Sequence, residues 1–116
     1  MEFSALVPML QTQDMAATRH WYESVLGFQC VAAAGESWCR LSRDGIALMF
    51  MNNAHLGPPT VTGTQYFHTP DVMAVFHAVK DRCAIAWGPE EMPYGMLEFA
   101  ITDPNGYLLS FGQPVE

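Results

Sequence analysis

The chain has 116 residues and a mass of 12.9 kDa, enough for one real hydrophobic core and too little for two. Half of the residues are hydrophobic and 15% are charged, the composition of a packed globular chain and not of a disordered one. Five Lys and Arg against twelve Asp and Glu give a formal charge of -7. That is a poor surface for nucleic-acid phosphates, and it suits either simple solubility or the attraction of a cationic small molecule.

No apolar run approaches the roughly 18 residues of a membrane helix, and the N-terminus lacks a basic stretch followed by an apolar one. The expectation is a cytoplasmic protein with neither a membrane nor a nucleic-acid partner. Cys30, Cys39 and Cys83 are odd in number and form no C-x-x-C pair. They read as small core residues, not as a disulfide framework or a zinc site.

In chain order, residues 3–10 form a β-prone run in which Pro8 argues for an edge position or irregular pairing. Asp14 fits a helix N-cap, after which Ala17, Trp21 and Val25 recur on one face. Gly27 stands where that helix should end in a left-handed turn. Strands are predicted over 28–33, 36–41 and 46–51, with Asp44-Gly45 as a hairpin signal between the last two. Residues 52–62 carry Gly57-Pro58-Pro59 and read as a connection. A strand over 63–69 leads to a second cap, Asp71, and Val72, Val75, Phe76, Val79 and Cys83 then follow at helical intervals. A strand over 84–87, a loop over 88–95, and strands over 96–102 and 107–112 complete the chain, the last two joined by Asp103-Pro104-Asn105-Gly106.

The two halves match. Asp14, Ala17 and His20 recur 57 positions later as Asp71, Ala74 and His77, and Gly45 and Phe50 recur 61 positions later as Gly106 and Phe111. Each half is therefore β-α-β-β-β, a unit that packs with its copy to bury faces neither buries alone. The organisation expected is one α+β domain over 1–116, with modules of about 1–53 and 63–116 and a linker of about 54–62.

Gln13-Asp14-Met15, His20-Trp21-Tyr22 and Val25-Leu26-Gly27-Phe28, together with the closing run from Glu98-Phe99 to Asp103-Pro104-Asn105-Gly106, resemble the vicinal oxygen chelate superfamily. This is the glyoxalase, bleomycin-resistance and extradiol dioxygenase group, and the chain looks most like its bleomycin-resistance-like members. Tyr107 stands where the family commonly has Asn. The resemblance implies two βαβββ modules with curved mixed sheets around a ligand cleft, and in such relatives two chains pair to complete the clefts, so a homodimer is expected. The motifs are specific for the fold and weak for function, because isomerases, dioxygenases, transferases and binding proteins share it.

Enzymes of the group hold a divalent metal with four side chains, one from the first and last strand of each half. Carried over, these positions are Val7, Met49, Thr64 and Ser110, and the repeat offsets give the same pairs. Val offers no donor, Met only a soft thioether, and Thr and Ser hydroxyls are weak ligands, so neither a metal nor another cofactor is expected. Of the four histidines, His20 and His77 fall on the helices and His55 in the linker, whereas His68 shares a strand face with Thr64 and Tyr66 and reads as a ligand contact or as a satisfied polar group. Glu98 belongs to the shared motif, and Asp103 shapes its turn.

If Val7 marks the concave face, alternation adds Met9 and Gln11, then Ala47, Met49 and Met51, and in the second half Thr64, Tyr66, His68, Leu108, Ser110 and Gly112. Such a lining serves a pocket for a flat or greasy molecule or simply fills a core with Met. The loop Glu90-Glu91-Met92-Pro93-Tyr94-Gly95 resembles the Pro-Trp-Gly segment of bleomycin-resistance proteins, whose aromatic stacks on the drug. Tyr94 takes that place, and the acids before it suit an aromatic cation. Trp38 is open between core packing and ligand contact, and Trp87 reads as core.

The preferred reading is a non-catalytic small-molecule-binding protein that sequesters an aromatic or cationic antibiotic, with ligand contacts from Trp38, Met49, Tyr66, His68, Tyr94, Glu98 and Ser110. The alternatives are a metal-dependent glyoxalase- or dioxygenase-type enzyme with atypical ligands, and a metal-free isomerase or lyase with Glu98 or His68 as proton carrier.

Overall fold

Asp14 and Asp71 open the two helices in the same way. Their backbones lie at φ/ψ of -139/88 and -145/88, and their carboxylates accept the amide N–H of Ala17 at 2.9 Å and of Ala74 at 3.1 Å. Each bond satisfies one of the donors that a helix start leaves without a partner. In the computed structural model, which describes residues 1–116, the chain forms two compact units, Met1–Pro59 and Thr60–Glu116. The first contains β1 (Met9–Gln11), α1 (Met15–Leu26), β2 (Gln29–Ala34), β3 (Trp38–Arg43) and β4 (Ile46–Met51). The second contains β5 (Thr64–His68), α2 (Val72–Val79), β6 (Ile85–Glu91), β7 (Met96–Thr102) and β8 (Leu108–Pro114).

Each unit is a four-stranded mixed sheet, ordered β1-β4-β3-β2 and β5-β8-β7-β6. The first strand runs parallel to the last, and the other neighbours are antiparallel. The α+β class and the doubled βαβββ plan are as the sequence suggested. α1 lays Tyr22 against Phe28 and Phe50, with ring centroids 5.9 and 5.1 Å apart. In the second unit Phe76 of α2 meets Phe99 edge-on at 5.4 Å, and Phe99, Phe111 and Phe67 stack in a row across three strands. Burying such side chains stabilises each unit by roughly 1.5–3 kcal/mol apiece. Strand alternation then turns Thr64, Tyr66, Glu98, Ala100, Ser110 and Gly112 to the face opposite α2.

Four local features differ from expectation, each for an identifiable reason. Only Met9–Gln11 of the predicted strand over 3–10 pairs. The parallel register of Met9 with Met49 leaves residues before Leu6 beyond the start of β4 at Ile46, and Pro8 has no N–H to give. α2 stops at Val79, and Arg82 N–H closes a turn onto the Val79 carbonyl at 2.9 Å, so Cys83 lies off the helix. The first half of the loop expected over 88–95 is strand, because a bulge between Trp87 and Glu90 absorbs the extra residue and pairing continues to Glu91. Gln11 does not line a cavity: its amide clamps the linker through Asn53 and the Gly57 carbonyl, each at 3.0 Å.

Both hairpin signals hold. Asp44 and Gly45 have φ of 50 and 79, as a tight hairpin turn requires. Asp103 is buried and accepts the amides of Asn105 and Tyr107 at 2.8 and 2.9 Å, the Asx geometry expected of that turn.

Candidate functional site

The second unit brings together three of the sequence-predicted residues, two of them hydrogen-bonded to the carboxylate of the third. Glu98 on β7 is opposite Gly112 on β8. Tyr66, one strand further on β5, reaches across β8 at that glycine and donates its hydroxyl to Glu98 Oε2 at 2.6 Å. A Cβ at position 112 would collide with the Tyr66 hydroxyl, so the crossing needs the one residue without a side chain. From the other side Tyr94 donates to Glu98 Oε1, also at 2.6 Å. Tyr94 sits in the tight turn that joins β6 to β7, closed by Met92 N–H to Met96 O at 2.8 Å and Gly95 N–H to Met92 O at 3.0 Å.

The exposures decide what a ligand would meet. Glu98 is 2% exposed, whereas Tyr66 is 37% and Tyr94 64% exposed. The carboxylate is therefore hidden behind two phenols, and the rings are the accessible surface. Short bonds of this kind to an ionised acceptor are among the stronger hydrogen bonds in proteins. They keep both phenols protonated: Tyr66 is pushed well above the usual phenol range by its surroundings' low polarity and by the bond to and charge of Glu98. Tyr94 is raised chiefly by its own bond to Glu98, with Glu90 adding to the effect.

Glu90 is opposite Glu98 across the β6–β7 pair, and Glu91 is opposite Leu97, so only the first of the two acids expected near Tyr94 shares this face. Gly88, at φ 78, permits the approach: a Cβ there would lie 2.6 Å from the Glu98 carbonyl oxygen. His68 is exposed and stands with its ring 5.0 Å from that of Tyr66. The unit's only Lys and Arg, Lys80 and Arg82, follow α2 and lie off the strands. A hollow of about 460 Å³ among Pro70, Glu91, Leu97 and Gln113 belongs to the residues of the opposite strand face and plays no part here.

Ser110, the remaining predicted contact in this unit, is buried and bonds to Thr64 through hydroxyls 2.8 Å apart, while the Thr64 hydroxyl also lies 3.1 Å from the Leu108 carbonyl. These are two of the four positions at which the resemblance implies metal ligands. The other two, Val7 and Met49, are in the first unit. None of the four offers a carboxylate or imidazole, and no group of three His, Cys, Asp or Glu side chains gathers anywhere in the chain. The residues present do not fit the family's divalent metal.

Trp38 and Met49 lie on the equivalent face of the first sheet, Trp38 opposite Met51 and Met49 between Met9 and Arg40. Arg40 was missed by the sequence reading, although period-2 alternation from Trp38 identifies it. The roles of Gly112 and Gly88 were missed as well. A glycine in a strand signals a close approach, but it does not say which side chain approaches.

A family model described as the glyoxalase/bleomycin resistance protein/dioxygenase superfamily matches residues 5–111. No curated protein matches the chain. Among solved structures, TnmS3, an antibiotic binding protein from Streptomyces sp. CB03234, is similar with a TM-score of 0.82 at 23% identity over 98% of each chain. A bleomycin resistance determinant encoded on the transposon Tn5 gives 0.77 at 23% identity, over 97% of this chain and 98% of that one. A bleomycin-binding protein from bleomycin-producing Streptomyces verticillus, complexed with copper(II)-bleomycin, gives 0.76 at 21% identity over 96% of each chain. At such identities the likeness is one of fold.

Proposed function

Since this chain belongs to the glyoxalase/bleomycin resistance protein/dioxygenase superfamily, we propose that it binds a small molecule without transforming it, on the face of the second sheet turned away from α2. Where that molecule is an antibiotic, binding amounts to sequestration. The Tyr66–Glu98–Tyr94 arrangement carries this reading. Glu98 is the buried acid that a metal-free isomerase would use, yet both of its oxygens already accept phenol hydrogen bonds. Neither is aimed at a substrate proton, as a general base must be. What the site offers instead is a pair of oriented, partly exposed rings, the kind of surface that stacks on a ligand. Two similar proteins of the same fold, one an antibiotic binder and one bound to copper(II)-bleomycin, support the reading.

A homodimer in a reducing compartment such as the cytoplasm fits the same reading. A second copy would cover the exposed apolar side chains of Phe3, Leu6 and Val31, and Cys30, Cys39 and Cys83 are free thiols, as is usual where disulfides do not persist.

The test is fluorescence titration of the wild type and Tyr94→Ala with a bleomycin-type glycopeptide and a panel of planar ring compounds, followed by mass spectrometry of the ligand. The expected result is saturable binding of at least one compound, recovered chemically unchanged. Tyr94→Ala should weaken it by roughly 1–3 kcal/mol, the scale of a lost aromatic stack, and should also lower Tm, because the buried Glu98 loses one of its two hydrogen-bond donors. Equal binding by Tyr94→Ala would place the ligand elsewhere, and a transformed ligand would overturn the non-catalytic reading.

A further inference from the structure

The site's chemistry is more specific than ring stacking, and it selects by charge and by hydration. Resting on the binding function above, we propose that the second-sheet site recognises a bulky, weakly hydrated organic cation, quaternary or charge-delocalised, whose charge rests on the Tyr66 and Tyr94 rings with Glu98 behind them.

Negative charge is concentrated on this face. Glu98 and Glu90 are opposite each other on β7 and β6, whereas the unit's Lys80 and Arg82 come after α2, off the strands. A neutral ligand would gain nothing from this field, and an anion would be repelled by it.

The charge is also presented indirectly. Glu98 is 2% exposed and each of its oxygens is held by a phenol at 2.6 Å. A primary ammonium could reach the carboxylate only by displacing a tyrosine, and a small, strongly hydrated cation would lose its water without gaining an ion pair. A quaternary or delocalised cation loses much less on desolvation and needs no hydrogen-bond acceptor. Its natural partner is an aromatic face. A phenol that donates to a carboxylate is richer in electrons than a free phenol, so both rings are strengthened for this contact by the bonds that hide Glu98. His68, with its ring 5.0 Å from Tyr66, adds a third wall.

Three anthracene probes that share one fluorescent ring system and differ only in the 9-methyl substituent separate these effects: trimethylammonium, primary ammonium and neutral hydroxyl. At neutral pH the wild-type protein should bind the trimethylammonium probe about tenfold more tightly than the alcohol, with the primary ammonium in between. In Glu98→Gln the ratio of trimethylammonium to alcohol affinity, measured in the same protein, should shrink to about twofold. Tyr94→Phe, which keeps the ring and loses its bond to Glu98, should give an intermediate preference. The comparison within the wild type requires no variant to fold. Equal binding of all three probes overturns the cation inference and leaves the small-molecule reading standing. Primary ammonium binding as tightly as quaternary overturns it in favour of a direct ion pair. Binding of none overturns both readings.

Discussion

The hydroxyl of Tyr66 lies over Gly112, in the space that a Cβ at that position would fill. Gly112 is opposite Glu98, so this glycine is the gap through which β5 reaches the carboxylate on β7. Its φ is not one that excludes other residues; the requirement is for space and not for backbone conformation.

Gly112→Ala should therefore push Tyr66 off Glu98, lowering stability by roughly 1–3 kcal/mol, as overpacking does, and reducing the cation preference. In a Tyr66→Ala background the same substitution should be nearly silent, because the two residues share one contact. Thermal or urea unfolding of the four proteins in this cycle measures the coupling. Additive effects would mean that Gly112 matters for some other reason.

The two helix caps should be equivalent in energy as they are in geometry. Asp14→Ala and Asp71→Ala are each expected to cost about 1 kcal/mol, read as a lower midpoint in urea with an unchanged slope. Asn at either position should restore most of the loss. An effect confined to one cap would show that the two helices contribute unequally to cooperative unfolding.

Stability should fall in alkali. The phenols of Tyr66 and Tyr94 and the thiols of Cys39 and Cys83 are all raised in the folded protein. Each group is neutral at low pH, so its contribution is complete below the unfolded-state value and is lost as pH rises towards the folded one. The decline should begin near about pH 9 with the thiols and steepen above about pH 10 with the phenols. Tyr66→Phe should flatten only the upper part. Unfolding midpoints as a function of pH, with phenolate absorbance followed in parallel, check this; a midpoint that rises with pH in this range would contradict it.

Dialysed protein should retain no stoichiometric divalent metal, because Val7, Met49, Thr64 and Ser110 supply no hard donor set and the Thr64 and Ser110 hydroxyls bond to one another. Elemental analysis decides the matter: one tightly held Ni, Zn, Fe or Mn per chain would contradict the donor chemistry.

Features specified within a few residues were legible in the sequence. Asp14, Asp71 and Asp103 act on amides two to four positions away, and the 46–51 and 96–102 strands were read with their observed limits. Tyr66, Tyr94 and Glu98 were each singled out, but their convergence was not. Tyr66 and Glu98 are 32 positions apart and meet only because β8 lies between their strands. The truncation of β1 was hidden for a similar reason, because its register against β4 leaves the residues before Leu6 beyond that strand's start at Ile46.

The bulge at Gly88-Pro89 has a consequence for the chemistry as well as for the strand. Between the Trp87–Ala100 and Glu90–Glu98 pairs, β6 contains two residues where β7 contains one, so the strand slips phase by a single position. Without the slip, counting on from Trp87 would bring Pro89 opposite Glu98 and turn Glu90 to the other side of the sheet. The bulge thus works as a frame-shift in the strand's inside–outside reading. Changing the length of this short stretch would exchange the residue facing the buried carboxylate while leaving the rest of the strand order intact.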